Sequence, residues 1–134
     1  MIDYQLMFGY AGICLVLQTI FVFTAPYFIP NFQKMTKANQ KTTPNKLIST
    51  VHATIMFSRT AYYWTVLNRS MEMPSVSIPY EEFTIHIMMG YLIFDTGYEL
   101  FNDRDYTALA HHVLGFTSHF FTLYYNHGSG SFYR

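Results

Sequence analysis

The sequence predicts an all-α fold, an integral membrane bundle of about four transmembrane helices, and three observations carry that expectation. Residues 4–33 contain no charged side chain, a run longer than the ~20 residues a helix needs to cross a bilayer. Residues 83–125 are apolar and aromatic enough for two more crossings, interrupted only by a short charged turn at 102–106. Charged residues make up 12% of the chain and aromatics 19%, a skew away from soluble averages that argues against a water-soluble helical protein.

With 134 residues and no net charge, one membrane domain over 1–134 is expected, and there is no electrostatic case for nucleic acid. Cys14 is the lone cysteine and sits inside an apolar run, which excludes a disulfide framework and cysteine metal sites. The opening MIDYQLMF has neither a basic segment nor an A-x-A cleavage site, so it reads as neither signal nor transit peptide.

The first helix is expected over 4–28, closed by Pro26 and Pro30, with Tyr4, Tyr10, Tyr27 and Phe28 suited to an interfacial belt. A polar loop follows over 31–46, with Lys34, Lys37, Lys41 and Lys46 and no acid. The second helix, 47–67, carries His52 and Arg59 seven residues apart and so on one face. Arg59 at that depth needs a partner, and Asp95 or Glu99 are the expected ones. The loop at 68–82 ends in Glu81-Glu82, which complement the dipole of the third helix, 83–101. The fourth helix is expected over 107–125, antiparallel to the third because the connection is short.

Lys34, Lys37, Lys41, Lys46 and Arg104 outnumber Arg69 and Arg134 on the other side. The positive-inside rule then puts the lysine loop in the cytosol or a mitochondrial matrix and both termini opposite. Asn68-Arg69-Ser70 is a glycosylation sequon close to a helix end. The endoplasmic reticulum and the mitochondrial inner membrane both fit.

Ionisable groups within spans mark function or buried pairing. Here they are His52, Arg59, His86, Asp95, Glu99, His111, His112 and His119. Asp95 and Glu99 lie one turn apart on one face, while His111, Gly115, Ser118, His119, Thr122 and Asn126 form a small and polar stripe with His112 beside it. That stripe is expected to point inward, towards the acidic face of its neighbour.

Ser49-Thr-Val-His52-Ala53, Gly90-Tyr91-x-x-x-Asp95 and His111-His112, in this order, resemble the TLC superfamily, which includes the ceramide synthases. The resemblance covers about 33–125. It implies a helix bundle around an acyl-chain cavity and, in the synthase branch, transfer of an acyl group from acyl-CoA to a lipid amine. His111 and His112 would match the paired histidines, with His52 and Asp95 at polar positions of the family. A histidine could deprotonate the attacking amine. The family continues for two or more helices and a further acidic motif beyond this pair, whereas this chain stops at Arg134.

Three functions follow as expectations. The first is a non-catalytic, lipid-contacting accessory subunit of a larger membrane complex, of respiratory type if mitochondrial, with partner helices covering the fourth helix and phospholipid bound. The second is an acyl-CoA-dependent lipid N-acyltransferase or lipid-homeostasis protein using His111, His112, Asp95 and His52. The third is a haem-binding anchor through His52, His86 and His111 or His119. No two helices present such histidines at matching depths, so haem and metal are not expected.

Overall fold

A computed structural model gives the fold, describing residues 2–66, 79–103 and 105–128 apart from the side chains of Asp103, Asn126, His127 and Gly128. The protein is all-helical, with four α-helices and no strand among the described residues: α1 (Tyr4–Phe28), α2 (Lys37–Thr65), α3 (Pro79–Tyr98) and α4 (Tyr106–Gly128). The sequon at Asn68, together with Arg69, Arg104 and Arg134, lies outside the described residues.

α1 starts where expected because Asp3 caps it, its Oδ1 accepting from the Leu6 N–H at 2.9 Å. It runs two residues past Pro26 and ends at Phe28, where the Ile29 N–H bonds the Ala25 carbonyl. α1 is long and apolar enough to cross a membrane, and only 11% of its most apolar stretch is buried.

α2 corrects the polar loop expected over 31–46. Asn31 adopts a left-handed φ of 59° and one 3-10 turn follows at Phe32–Lys34, held by the Gln40 amide donating to the Phe32, Gln33 and Met35 carbonyls. Thr36 then caps a helix beginning at Lys37, ten residues before the expected start at 47. Lys, Ala, Gln and Asn form this first part, and lysine, alanine and glutamine are good helix formers. Their polarity hid a helix from a reading tuned to apolar runs. Pro44 sits within α2, buried.

α3 also starts earlier than expected. Pro79 takes the first helical position, where its missing N–H costs nothing, and Glu81 and Glu82 occupy the first turn. α3 gives way to one π-helical turn at Glu99–Asp103, and Asp105 caps α4 by accepting from the Thr107 and Ala108 N–H groups.

The helices run up, down, up and down, and α3 is the axis against which α1, α2 and α4 all pack. Its buried positions include His86, Met89, Gly90, Leu92, Phe94 and Asp95. One apolar core joins Met7, Met89 and Leu123 across α1, α3 and α4, and a second joins Cys14, Ile48 and Phe94 across α1, α2 and α3. Met7, Met89 and Leu123 are almost completely buried, so truncating any of them to alanine is expected to cost ~2–5 kcal/mol.

Gly90 sets the closeness of α1 and α3. A Cβ placed there would lie 2.5 Å from the Met7 carbonyl oxygen and 3.1 Å from Tyr10 Cβ. Only glycine lets the two backbones meet at this level.

Candidate functional site

Seen from α3, the polar core is a short ladder. Asp95 carries one donor on each oxygen: Asn45 Nδ2 of α2 at 3.2 Å on Oδ1, and His112 Nε2 of α4 at 3.1 Å on Oδ2. Both partners of the Asp95–His112 contact keep only 10% of their side-chain surface exposed. One turn before Asp95, the Tyr91 hydroxyl lies 2.8 Å from Ser49 Oγ, and Ser49 donates to the Asn45 carbonyl at 3.0 Å.

His52 lies flat on Tyr91, ring centroids 3.9 Å apart and planes 7° apart. Its Nδ1 meets the Tyr10 hydroxyl of α1 at 3.2 Å. All four helices therefore contribute to one buried cluster: Tyr10, Asn45, Ser49, His52, Tyr91, Asp95 and His112. Three of its polar atoms have no hydrogen-bond partner among the described residues: Asn45 Oδ1, His52 Nε2 and His112 Nδ1. Buried polar atoms are normally satisfied, and these three are where a water or a reacting group would be held.

His86 is buried at the far end of α3. Its Nε2 accepts from the Asp3 N–H at 2.9 Å and its Nδ1 lies against the Glu82 carbonyl. It pins the start of α1 and has no contact with the cluster. Glu99 is half-buried in the π turn, and His119 is half-buried on α4.

Two expectations are corrected. Arg59 does not face Asp95 or Glu99. Its Nε donates to Thr84 Oγ1 at 2.8 Å and its guanidinium to the Tyr80 carbonyl at 3.2 Å, and it lies over the rings of Tyr80 at 4.0 Å and Phe83 at 4.8 Å. The antiparallel register decides this. Asn45 pairs with Asp95 and Ser49 with Tyr91, so each step down α2 is a step back along α3, and Arg59 arrives near the start of α3. Thr84 and Asp95 are eleven residues apart on α3, roughly 16 Å along its axis.

The inward stripe of α4 is rotated by one residue from the expected one. His112 and Leu123 are buried with Gly115 and His119 half-buried, while His111, Ser118 and Thr122 are exposed. Adjacent residues on a helix point about 100° apart, so both histidines cannot face Asp95. His112 does, and His111 looks outward. Asn126 has no described side chain.

Tyr10, Asn45, Ser49 and Tyr91 are the cluster members absent from the expected site. Tyr10 lies six residues beyond Tyr4, ~9 Å deeper along the axis, too deep to share its interfacial belt. That spacing was the available signal. The sequence matches no family model, no curated protein and no solved structure.

Proposed function

We propose that the chain is a non-catalytic, lipid-embedded accessory subunit of a larger membrane assembly, with α1 to α4 all crossing the bilayer. The observation that carries this reading is the outer face of α4. His111 is exposed there beside Val113 at 54%, Leu114 at 71% and Phe121 at 48% exposure. The hydroxyls of Thr117 and Thr122 are satisfied by carbonyls of their own helix at 2.7 and 2.9 Å. The His111 ring meets His112 edge-on. Lipid tails offer no hydrogen bonds, so an imidazole on this face is favourable only under a polar partner helix.

α1 supports the membrane part of the reading. Leu15, Val16 and Phe23 are 61%, 59% and 71% exposed, whereas the core helix of a soluble protein hides such residues. The test is purification in mild detergent followed by native electrophoresis. The chain should migrate within a larger complex, and His111→Trp with Ser118→Trp should release it with its helicity intact, since both positions point away from α3. Recovery of the wild type as a monodisperse monomer with nothing attached would refute the proposal.

A second reading rests on a different observation, the Asp95–His112 contact with His112 Nδ1 unpartnered. A carboxylate that holds one imidazole nitrogen and leaves the other open is the arrangement of a general base. The residues behind the TLC resemblance, Ser49, His52, Tyr91, Asp95 and His112, also lie together in this cluster. Acyl transfer to a lipid amine is the corresponding activity. An acyl-CoA-dependent N-acylation assay that His112→Ala abolishes would favour it over the first reading.

A further inference from the structure

A groove of about 540 Å³ runs between α1 and α3. We propose that it holds one acyl chain of an anionic phospholipid, with the phosphate against the lysines at the start of α2. The inference rests on the chain being membrane-embedded and deepens that reading by naming a lipid site.

The groove is amphiphilic in one direction. Its body is lined by Ala11, Gly12 and Leu15 of α1, by Ile93 and Gly97 of α3, and by Phe101 of the π turn. A Cβ built on Gly12 or on Gly97 meets no atom within 4 Å, so the missing side chains create the space. From Ile93 to Asn102 the groove follows α3 for ~14 Å. Its volume lies within the ~300–1,000 Å³ usual for small-molecule clefts.

One end is polar, formed by Gln18, Tyr98 and Asn102. Among the described residues Gln18 Oε1 has no hydrogen-bond partner.

Positive charge stands at the same end. Lys41 Nζ donates to the Asn102 carbonyl at 2.9 Å, and the Tyr98 hydroxyl donates to the Lys41 carbonyl at 3.3 Å. Lys37 lies one turn before Lys41 on the same face, and Lys34 ends the adjoining 3-10 turn. Residues 31–46 contain no acid. Glu99, Asp103, Arg104 and Asp105 in the turn after α3 offset two of the four positive charges of Lys34, Lys37, Lys41 and Lys46, so this end stays net positive; Asp105 is engaged in capping α4. Ammonium groups near a membrane surface attract anionic head groups, and an apolar channel leading from them fits a tail.

The test uses the full chain in phosphatidylcholine vesicles doped with spin-labelled phosphatidylglycerol or spin-labelled phosphatidylcholine, reading the motionally restricted fraction. Wild type should restrict phosphatidylglycerol several-fold more than phosphatidylcholine. Gly97→Leu should remove that excess, because leucine fills the groove while improving the helix. Lys34→Gln, Lys37→Gln and Lys41→Gln together should abolish the preference for phosphatidylglycerol. A restricted fraction unchanged by Gly97→Leu, or equal for both lipids in wild type, overturns the site. An alkaline carbonate wash reads embedding separately. A chain that washes off refutes the membrane reading, whereas one that stays but restricts no excess phosphatidylglycerol refutes the groove alone.

Discussion

Removing Asp95 is the sharpest probe of the buried cluster. The carboxylate receives Asn45 on one oxygen and His112 on the other, at 3.2 and 3.1 Å, with 10% of its side chain exposed. Asp95→Ala therefore strips partners from α2 and α4 together. Breaking a buried pair from one side costs ~3–5 kcal/mol, because the remaining partner stays desolvated and alone. His112→Ala should fall at the lower end of that range, since Asp95 keeps Asn45. Replacing both by leucine removes the unpaired group and should cost less than Asp95→Ala. The assay is unfolding of the detergent-solubilised chain by sodium dodecyl sulfate, followed by far-UV circular dichroism. Trp64, the only tryptophan and half-exposed at the far end of α2, gives a second signal away from the site. An interhelical hydrogen bond within a bilayer averages only ~0.6 kcal/mol. Single-variant costs no larger than that, with no coupling in the double-mutant cycle, would refute the reasoning.

The same unfolding assay separates two glycines of α3. Gly90→Ala should destabilise by ~1–3 kcal/mol, because its methyl meets the Met7 carbonyl, while Gly97→Ala should be neutral or stabilising by up to ~1 kcal/mol. Equal effects would refute the close approach of α1 and α3. Arg59→Ala should cost ~2 kcal/mol through loss of the Tyr80 and Phe83 ring contacts and the Thr84 bond. It should add independently to any Asp95 change, given their separation along α3, and a coupling above ~0.5 kcal/mol would restore the Arg59–Asp95 pairing. For topology, single cysteines at Asn39 and Gln5 in a Cys14→Ser background should label from opposite sides of sealed vesicles. Labelling from one side would exclude α1 as a complete span.

The helices were legible wherever an apolar run coincided with a helix. α1 shows this best, since its charge-free stretch and its prolines mark both limits. α2 was half legible because its first ten residues are polar and pack at a bundle end, where composition resembles a loop. That α4 sets a histidine against the acidic face of α3 follows from a short antiparallel connection between two polar-bearing helices, which sequence displays. The partner of Arg59 does not. Choosing between Asp95 and Tyr80 requires the register of α2 on α3, and a polar first half misplaced the start of α2 by nearly three turns. Which of two adjacent histidines faces inward was equally hidden, because the stripe through His111 and the line through His112 differ by one residue of rotation.

The shape of the polar cluster bears on what it can do. Its bonds to α3 are confined to Tyr91 and Asp95, four residues that span ~6 Å of a helix axis. A bilayer core is ~30 Å thick. Tyr10, His52, Ser49, Asn45 and His112 approach these two residues sideways, from the three surrounding helices. Such a layer can fix the rotation of each helix about its axis, because every helix presents at least one polar group that must find its partner in this layer. Under the proposed embedding in hydrocarbon, where apolar packing alone distinguishes poorly between rotations, that layer would specify the bundle. His86 on the Asp3 amide and Arg59 on Tyr80 repeat the principle nearer the other end. Fixed by these ties, α4 holds His112 inward and therefore His111 outward, and His111 is the imidazole that the proposed partner helix would cover.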